Sequence, residues 1–269
     1  MFHQNARFSA AVFSGRAWFY DATFVRGAWF NRARFDGDAR FTRAKFEGAA
    51  EEFSDASFRI APDFRGARYV VPPTLQRAVV GYATDKAGTA WQRLLGRAID
   101  NSQAPSYRRL KQLASEAKDH EREQEFFALE MRAKRFYETT GFWPLALNIG
   151  YDWLSGYGRS VVRPLAWWVA LIIASLVIVL LLVPASGNTG MVDRWGAALV
   201  IAVTNSALLI GSDKWLPRME AVERLCSSCQ GKLGLAADSL FYAQSGLSLL
   251  LVFLIGLALR NRFRIGGSS

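Results

Sequence analysis

Phenylalanine returns along the first quarter of this chain on a nearly fixed beat, at 8, 13, 19, 24, 30, 35, 41, 46, 53, 58 and 64, with Tyr69 in the next place. The steps are 5, 6, 5, 6, 5, 6, 5, 7, 5, 6 and 5 residues. Such self-similarity constrains a fold strongly, because each repeat must be one unit that buries its apolar side against its neighbours. Alanine stands two residues before the aromatic in ten of the twelve units, from Ala6 to Ala67. The exceptions are Glu51 before Phe53 and Pro62 before Phe64.

An eleven-residue period also suits a right-handed coiled coil. On a helix, however, steps of five and six rotate by about 140° and 240°, so the rings would alternate between two faces. Gly15, Gly27, Gly37, Gly48 and Gly66 would weaken that helix further. On an extended chain, residues i−2 and i point to one side, so each Ala-x-Phe buries both side chains on one short strand. Gly and Asp between the units suit the corner that follows.

This pattern, over residues 6–69, resembles the pentapeptide repeat family in its Phe-rich form. The resemblance implies a right-handed quadrilateral β-helix with Phe stacked inside and Ala beside it. At four units per coil it implies about three coils, roughly 15 Å tall. Some family members mimic DNA with an acidic surface, but residues 1–70 here hold eleven Lys or Arg against eight Asp or Glu. That balance argues for a scaffold or docking surface instead.

Beyond the repeats the composition changes. No acid occurs from Trp153 to Val192, and no charge of either sign between Pro164 and Val192. About 20 apolar residues at 1.5 Å each span a hydrocarbon core of roughly 30 Å. Hence the chain is expected in a membrane, with lipid as a partner. The net charge of +10 then fits the cytoplasmic flanks of an inner-membrane protein, and no nucleic-acid-binding motif accompanies it. The stretch from Met1 to Phe30 mixes arginines with aromatics and lacks a signal peptide's apolar run, so the repeats are expected to stay in the cytoplasm.

The expected organisation is a β-helix over 1–71, a cytoplasmic helical linker over 72–141, an interfacial amphipathic helix over 142–163, a transmembrane channel-like domain over 164–265 and a short Gly-Ser tail at 266–269. Pro72-Pro73 is expected to close the solenoid. Thr74–Ile99 reads as one or two short helices around Leu75, Val79, Trp91, Leu94 and Leu95. Ser106 is the candidate N-cap for one long helix to about Thr139, with an apolar stripe of Tyr107, Leu110, Leu113, Ala117, Phe127 and Met131 interrupted by His120 and Gln124. Trp143, Tyr151, Trp153 and Tyr157 suit the headgroup level.

Three apolar stretches follow, at about Pro164–Val183, Trp195–Ile210 and Leu235–Leu259. Arg159 and Arg163 precede the first, and Arg260, Arg262 and Arg264 follow the third, so both ends are expected inside. An even number of crossings makes the middle stretch re-entrant. This helix, re-entrant helix, helix layout is similar to a two-helix cation-channel pore, although Leu208-Leu-Ile-Gly-Ser-Asp213 departs from a potassium filter. The overall arrangement and the ending at 257–264 resemble bacterial proteins that fuse pentapeptide repeats to a channel-like domain. Thr204, Asn205, Ser206, Asp213, Asp238, Tyr242, Ser245 and Ser248 are the candidate pore lining, and Val252, Ile255 and Leu259 the candidate hydrophobic gate. Ordinary helix packing by the same hydroxyls is the alternative.

Cys226 and Cys229 are the only cysteines; the expected topology puts them outside, where a disulfide persists. Their spacing lacks the further ligands that zinc requires, and no dinucleotide motif, phosphate loop or Ser/His/Asp set can be assembled. No metal, cofactor or enzymatic activity is therefore expected. The expected function is a homo-oligomeric channel or pore for inorganic ions, with four subunits; the alternative is a membrane-anchored scaffold presenting the β-helix to a cytoplasmic protein. The inner membrane of a bacterium, multi-pass with both termini cytoplasmic, is the expected location.

Overall fold

The computed structural model describes residues 1–48, 51–182, 191–206, 220 and 234–266, with backbone only at 51, 182, 191, 234–241 and 264–266. The chain divides into two compact units, one made by 1–152 with 264–269 and the other by 153–263.

The N-terminal region is a β-solenoid of about three turns. Its first coil has four two-residue strands, β1 (Ala6–Arg7), β2 (Val12–Phe13), β3 (Ala17–Trp18) and β4 (Thr23–Phe24). The second repeats them as β5 (Ala28–Trp29), β6 (Arg34–Phe35), β7 (Ala39–Arg40) and β8 (Lys45–Phe46). The third supplies β9 (Glu51–Glu52), β10 (Ser57–Phe58) and β11 (Arg68–Tyr69), with Asp63 bridging to Arg40 on the remaining wall. All pairings between these strands are parallel, and the four sheets form four walls. On one wall Ala6 pairs with Ala28, and Ala28 in turn pairs with Glu51. The second of these turns is longer than the first because it contains the wide step from Phe46 to Phe53.

Stacked walls also stack the rings. Phe8, Phe30 and Phe53 lie 4.9 Å apart in succession, and Phe13, Phe35 and Phe58 lie 4.7 Å apart. Those distances match the spacing of hydrogen-bonded strands, so the backbone ladder dictates the ring ladder. Across the interior the ladders meet edge to face, as between Phe30 and Phe41 at 81°, the arrangement favoured by the ring quadrupole. From Phe24 to Phe64 every one of these Phe side chains is fully buried, with Ala28, Ala33, Ala39, Ala44 and Ala56 beside them.

The solenoid continues past Pro72-Pro73, contrary to the expected closure. Thr74 bridges to Glu52, and strand β12 (Val79–Val80) pairs with β10. Leu75 and Val80 occupy the places of the aromatic, while Pro73 and Ala78 occupy the place of alanine, and all four are buried. An aliphatic side chain fills the end of an aromatic stack, so the repeat outlives its phenylalanines.

After the solenoid comes one short helix, α1 (Ala90–Leu94), closed by a capping box between Thr89 and Gln92. The expected single long helix is two, α2 (Gln103–Glu116) and α3 (His120–Ala133). Lys118 takes φ +58° between them, the Asp119 N–H donates back to the Ala114 carbonyl, and the Asp119 carboxylate caps α3 by accepting from Arg122 N–H. A left-handed residue followed by an N-cap ends one helix and starts the next. The break resets the helical phase, so Phe126, Leu129 and Ala133 are buried on α3 and Phe127 is only partly so. The hairpin shares one core with the last coil: Tyr107 is fully buried and donates through its hydroxyl to the Gly81 carbonyl at 2.7 Å. It thereby covers the end of the solenoid, where an open strand edge would otherwise invite pairing.

Helix α4 (Phe142–Ser155) follows, then α5 (Val162–Leu182), α6 (Met191–Ser206) and α7 (Gly234–Gly266). Val162–Leu181 and Tyr242–Phe263 are long and apolar enough to cross a membrane.

Candidate functional site

Four stretches of the fold concentrate chemistry: the solenoid's outer wall, two charge clusters on the helices beside it, and the seam between α5, α6 and α7.

Alternate residues of the short strands point outward. Trp18 is 51% exposed, and Arg16 and Arg40 lie over its ring at 5.4 and 5.9 Å. Arg40 also donates to the Tyr20 hydroxyl at 2.7 Å. The result is an exposed patch of aromatic and cationic side chains on one wall. At the corners, Arg43 donates to both oxygens of Asp21 one coil below, and Arg77 does the same to Asp55. These bidentate pairs tie successive coils together along the edge.

Glu130 on α3 is only 2% exposed in its side chain, yet Arg108, Lys111 and Lys134 all reach it, at 2.9, 2.7 and 2.8 Å. Burial alone would push its carboxyl up; the three cationic hydrogen bonds outweigh burial and hold it at about 2. A second cluster fastens α4. Arg132 and Arg135 both donate to Asp152, at 2.8 and 2.7 Å, and Arg135 also donates to Asn148 Oδ1 at 2.7 Å. Burial opposes the Asp152 charge, but the guanidinium bonds prevail and keep its carboxyl below the ordinary range. The polar side of α4 is thus held by protein, while Phe142, Trp143 and Leu147 on the same helix are each more than two-thirds exposed. A soluble helix does the reverse.

In the helical unit the polar side chains turn inward. Gln244 is buried; its Nε2 donates to the Ala202 carbonyl at 2.9 Å and to Ser206 Oγ at 2.7 Å, and its Oε1 accepts from Ser175 at 2.7 Å. Ser248, also buried, donates to the Ser206 carbonyl at 2.6 Å and accepts from Trp168 Nε1 at 2.7 Å. Ser245 donates to the Asn205 carbonyl at 3.0 Å. Thr204 turns its hydroxyl back onto the Val200 carbonyl of its own helix. Asn205 is buried, and its Oδ1 has no hydrogen-bond partner among the described residues.

The structure therefore gathers Asn205, Ser206, Ser245 and Ser248 into one seam, while Tyr242 is 67% exposed. Val252 and Ile255 are half-buried and Leu259 exposed. Asp213, Cys226 and Cys229 lie outside the described residues, as does the side chain of Asp238, whose backbone belongs to α7. Sequence reasoning missed Gln244, Ser175 and Trp168. Gln244 was detectable, since it precedes Ser248 by one helical turn; Ser175 is a lone hydroxyl in the apolar run of α5. Among the described residues no group of three or more His, Cys, Asp or Glu could hold a metal ion.

The family model described as pentapeptide repeats (9 copies) matches residues 1–45 and 30–70. The N-terminal region thus carries pentapeptide repeats, and their stacked walls are the β-solenoid described above. No curated protein and no solved structure matches the chain.

Proposed function

We propose that the chain is a membrane-anchored docking scaffold, in which α5 and α7 cross a bacterial inner membrane and the solenoid offers rigid walls to a cytoplasmic protein. One observation carries the choice. The polar side chains of α5, α6 and α7 are hydrogen-bonded to one another inside the unit, whereas Ile173, Val177, Leu199, Val203, Leu250 and Phe253 lie on its outside. Apolar flanks suit lipid, and interhelical hydroxyl and amide bonds are the usual adhesive of membrane helices. A water-filled path would need those polar groups to be free for water and ions. The exposed apolar face of α4 suits the headgroup level, and the Trp18 patch is the part of the solenoid best suited to a protein partner.

The second reading is a homo-oligomeric ion pathway, with four copies as the simplest ring. The Oδ1 of buried Asn205, without a hydrogen-bond partner among the described residues, favours it, as does the placing of a shorter helix between two span-length ones. Bilayer recording of the purified full chain separates the two. The scaffold reading expects no conductance at any voltage, and a photoreactive residue at position 16 should give one discrete adduct in cells that Trp18→Ala abolishes. Conductance that changes in Asn205→Ala or Asp213→Asn would overturn the scaffold and establish the pore.

A further inference from the structure

The segment between α4 and α5 is a tight elbow with a consequence for charge. Gly156, Tyr157 and Gly158 hold φ at +57°, +60° and +78°, a run that an L side chain adopts only under constraint. Packing supplies the constraint: Tyr157 is buried, the Gly158 N–H donates to Ser155 Oγ at 3.1 Å, and the Ser160 N–H donates to the Ser155 carbonyl at 3.1 Å. Asn261, near the far end of α7, donates through Nδ2 to the Gly158 carbonyl at 3.3 Å. That bond joins two places far apart in sequence. It brings Arg159 and Arg163, beside the elbow, to the same end of the unit as Arg260 and Arg262, beside Asn261.

All four arginines are exposed. Arg163 folds back over the elbow, its Nη1 only 3.1 Å from where a Cβ on Gly156 would lie. Among the described residues no ion pair joins Arg159, Arg260 or Arg262 to a carboxylate. Asp152, the acid closest to Arg159 in sequence, is held by Arg132 and Arg135. Trp153 and Trp167 flank the elbow, both exposed, with rings 5.3 Å apart.

We propose that this end of the helical unit binds the headgroups of anionic phospholipids in the leaflet that it meets. Charge complementarity identifies the occupant, since a planar guanidinium fork pairs bidentately with a phosphate diester. Position identifies it too. The arginines stand at the ends of the two helices long enough to cross a bilayer, the depth at which headgroups lie and where tryptophan rings settle. Each arginine near an anionic surface strengthens association about fivefold. The proposal rests on α5 and α7 crossing a membrane, and holds equally for a scaffold and for a pore.

The test uses the full chain purified in a neutral detergent, titrated with phosphatidylglycerol or phosphatidylcholine and read by native mass spectrometry of the bound lipid. The expected result is a phosphatidylglycerol affinity at least tenfold above that for phosphatidylcholine. Arg159→Gln/Arg260→Gln/Arg262→Gln should lose about a hundredfold in that affinity while keeping the far-UV circular dichroism of the parent, and Arg34→Gln/Arg68→Gln on the solenoid should lose nothing. Equal affinity for the two lipids, an unchanged preference in the triple variant, or complete displacement of the lipid by millimolar inorganic phosphate would each overturn the proposal. Release of the reconstituted chain from vesicles by alkaline carbonate would instead overturn the membrane reading beneath it, whereas carbonate resistance without lipid preference overturns this proposal alone.

Discussion

Ala10, Asp21, Arg32, Arg43, Asp55 and Arg77 all hold φ between +50° and +58°, and Gly66 shares the series at +68°. Each is the third residue of a turn closed by a bond such as Ala33 N–H to Phe30 carbonyl at 3.0 Å. This is the type II position, where glycine belongs and a side chain costs about 1–2 kcal/mol. Arg32→Gly should accordingly raise thermal stability, by up to about 1 kcal/mol once the looser unfolded chain is counted. Arg77→Gly should gain less, because it also loses the pair to Asp55. The core behaves oppositely: Phe35→Ala should cost about 3–5 kcal/mol in denaturant unfolding, while Arg34→Ala, one residue away and exposed, should cost under about 0.5. If both cost the same, the inward register of the rings is wrong. Glu130 adds a pH dependence. Its folded pKa, about 2, lies below the ordinary 4.5, so its stabilisation is complete above 4.5 and vanishes as pH falls toward 2. The loss should be about 3 kcal/mol by acid titration of the melting temperature, and Glu130→Gln should flatten that part of the curve.

The hairpin of α2 and α3 depends on the residues at its tip. Removing the cap with Asp119→Ala should lower the stability of the hairpin by about 1 kcal/mol. Lys118→Gly should raise it by a similar amount, since its φ is that of a helix-ending glycine. Hydrogen exchange across residues 103–133 reads both, whereas in a single continuous helix Lys118→Gly would destabilise and Asp119→Ala would not. In the helical unit, Gln244 links α7 to both α5 and α6. Gln244→Leu should weaken the three-helix packing by about 1–2 kcal/mol in detergent-denaturation assays, more than Ser245→Ala, which removes one bond.

At the scale of the chain, a lattice of short parallel strands is joined to helices whose apolar sides face outward. Charged walls suit water and outward apolar sides suit lipid, which is the physical basis for the proposed membrane anchor. The arginines at 159–163 and 260–264 then predict that both termini face the cytoplasm. Single cysteines introduced at positions 3 and 262 should resist an impermeant maleimide applied from outside, and one at 187 should react. Labelling of position 262 from outside would remove the even number of crossings and the re-entrant reading of the middle stretch with it.

The beat of phenylalanines determined the solenoid, because each coil meets a near copy of itself one turn further along the chain. The acid-free run from Trp153 determined the apolar helices in the same local way. Local pattern could not reveal where the solenoid stops: Leu75 and Val80 break the aromatic rule yet fill the same space, and only the neighbouring coil and Tyr107 define that space. Nor could it reveal the break at Lys118, where either a continuous helix or a hairpin satisfies the apolar spacing and only packing against the last coil selects the hairpin. The hydroxyls of the third apolar stretch were legible as one side of a helix, but not what that side meets. Trp168 bonds to Ser248 and Ser175 to Gln244, 80 and 69 residues apart in sequence. Bonds of that reach are fixed by which helices pack together, and that choice belongs to tertiary structure.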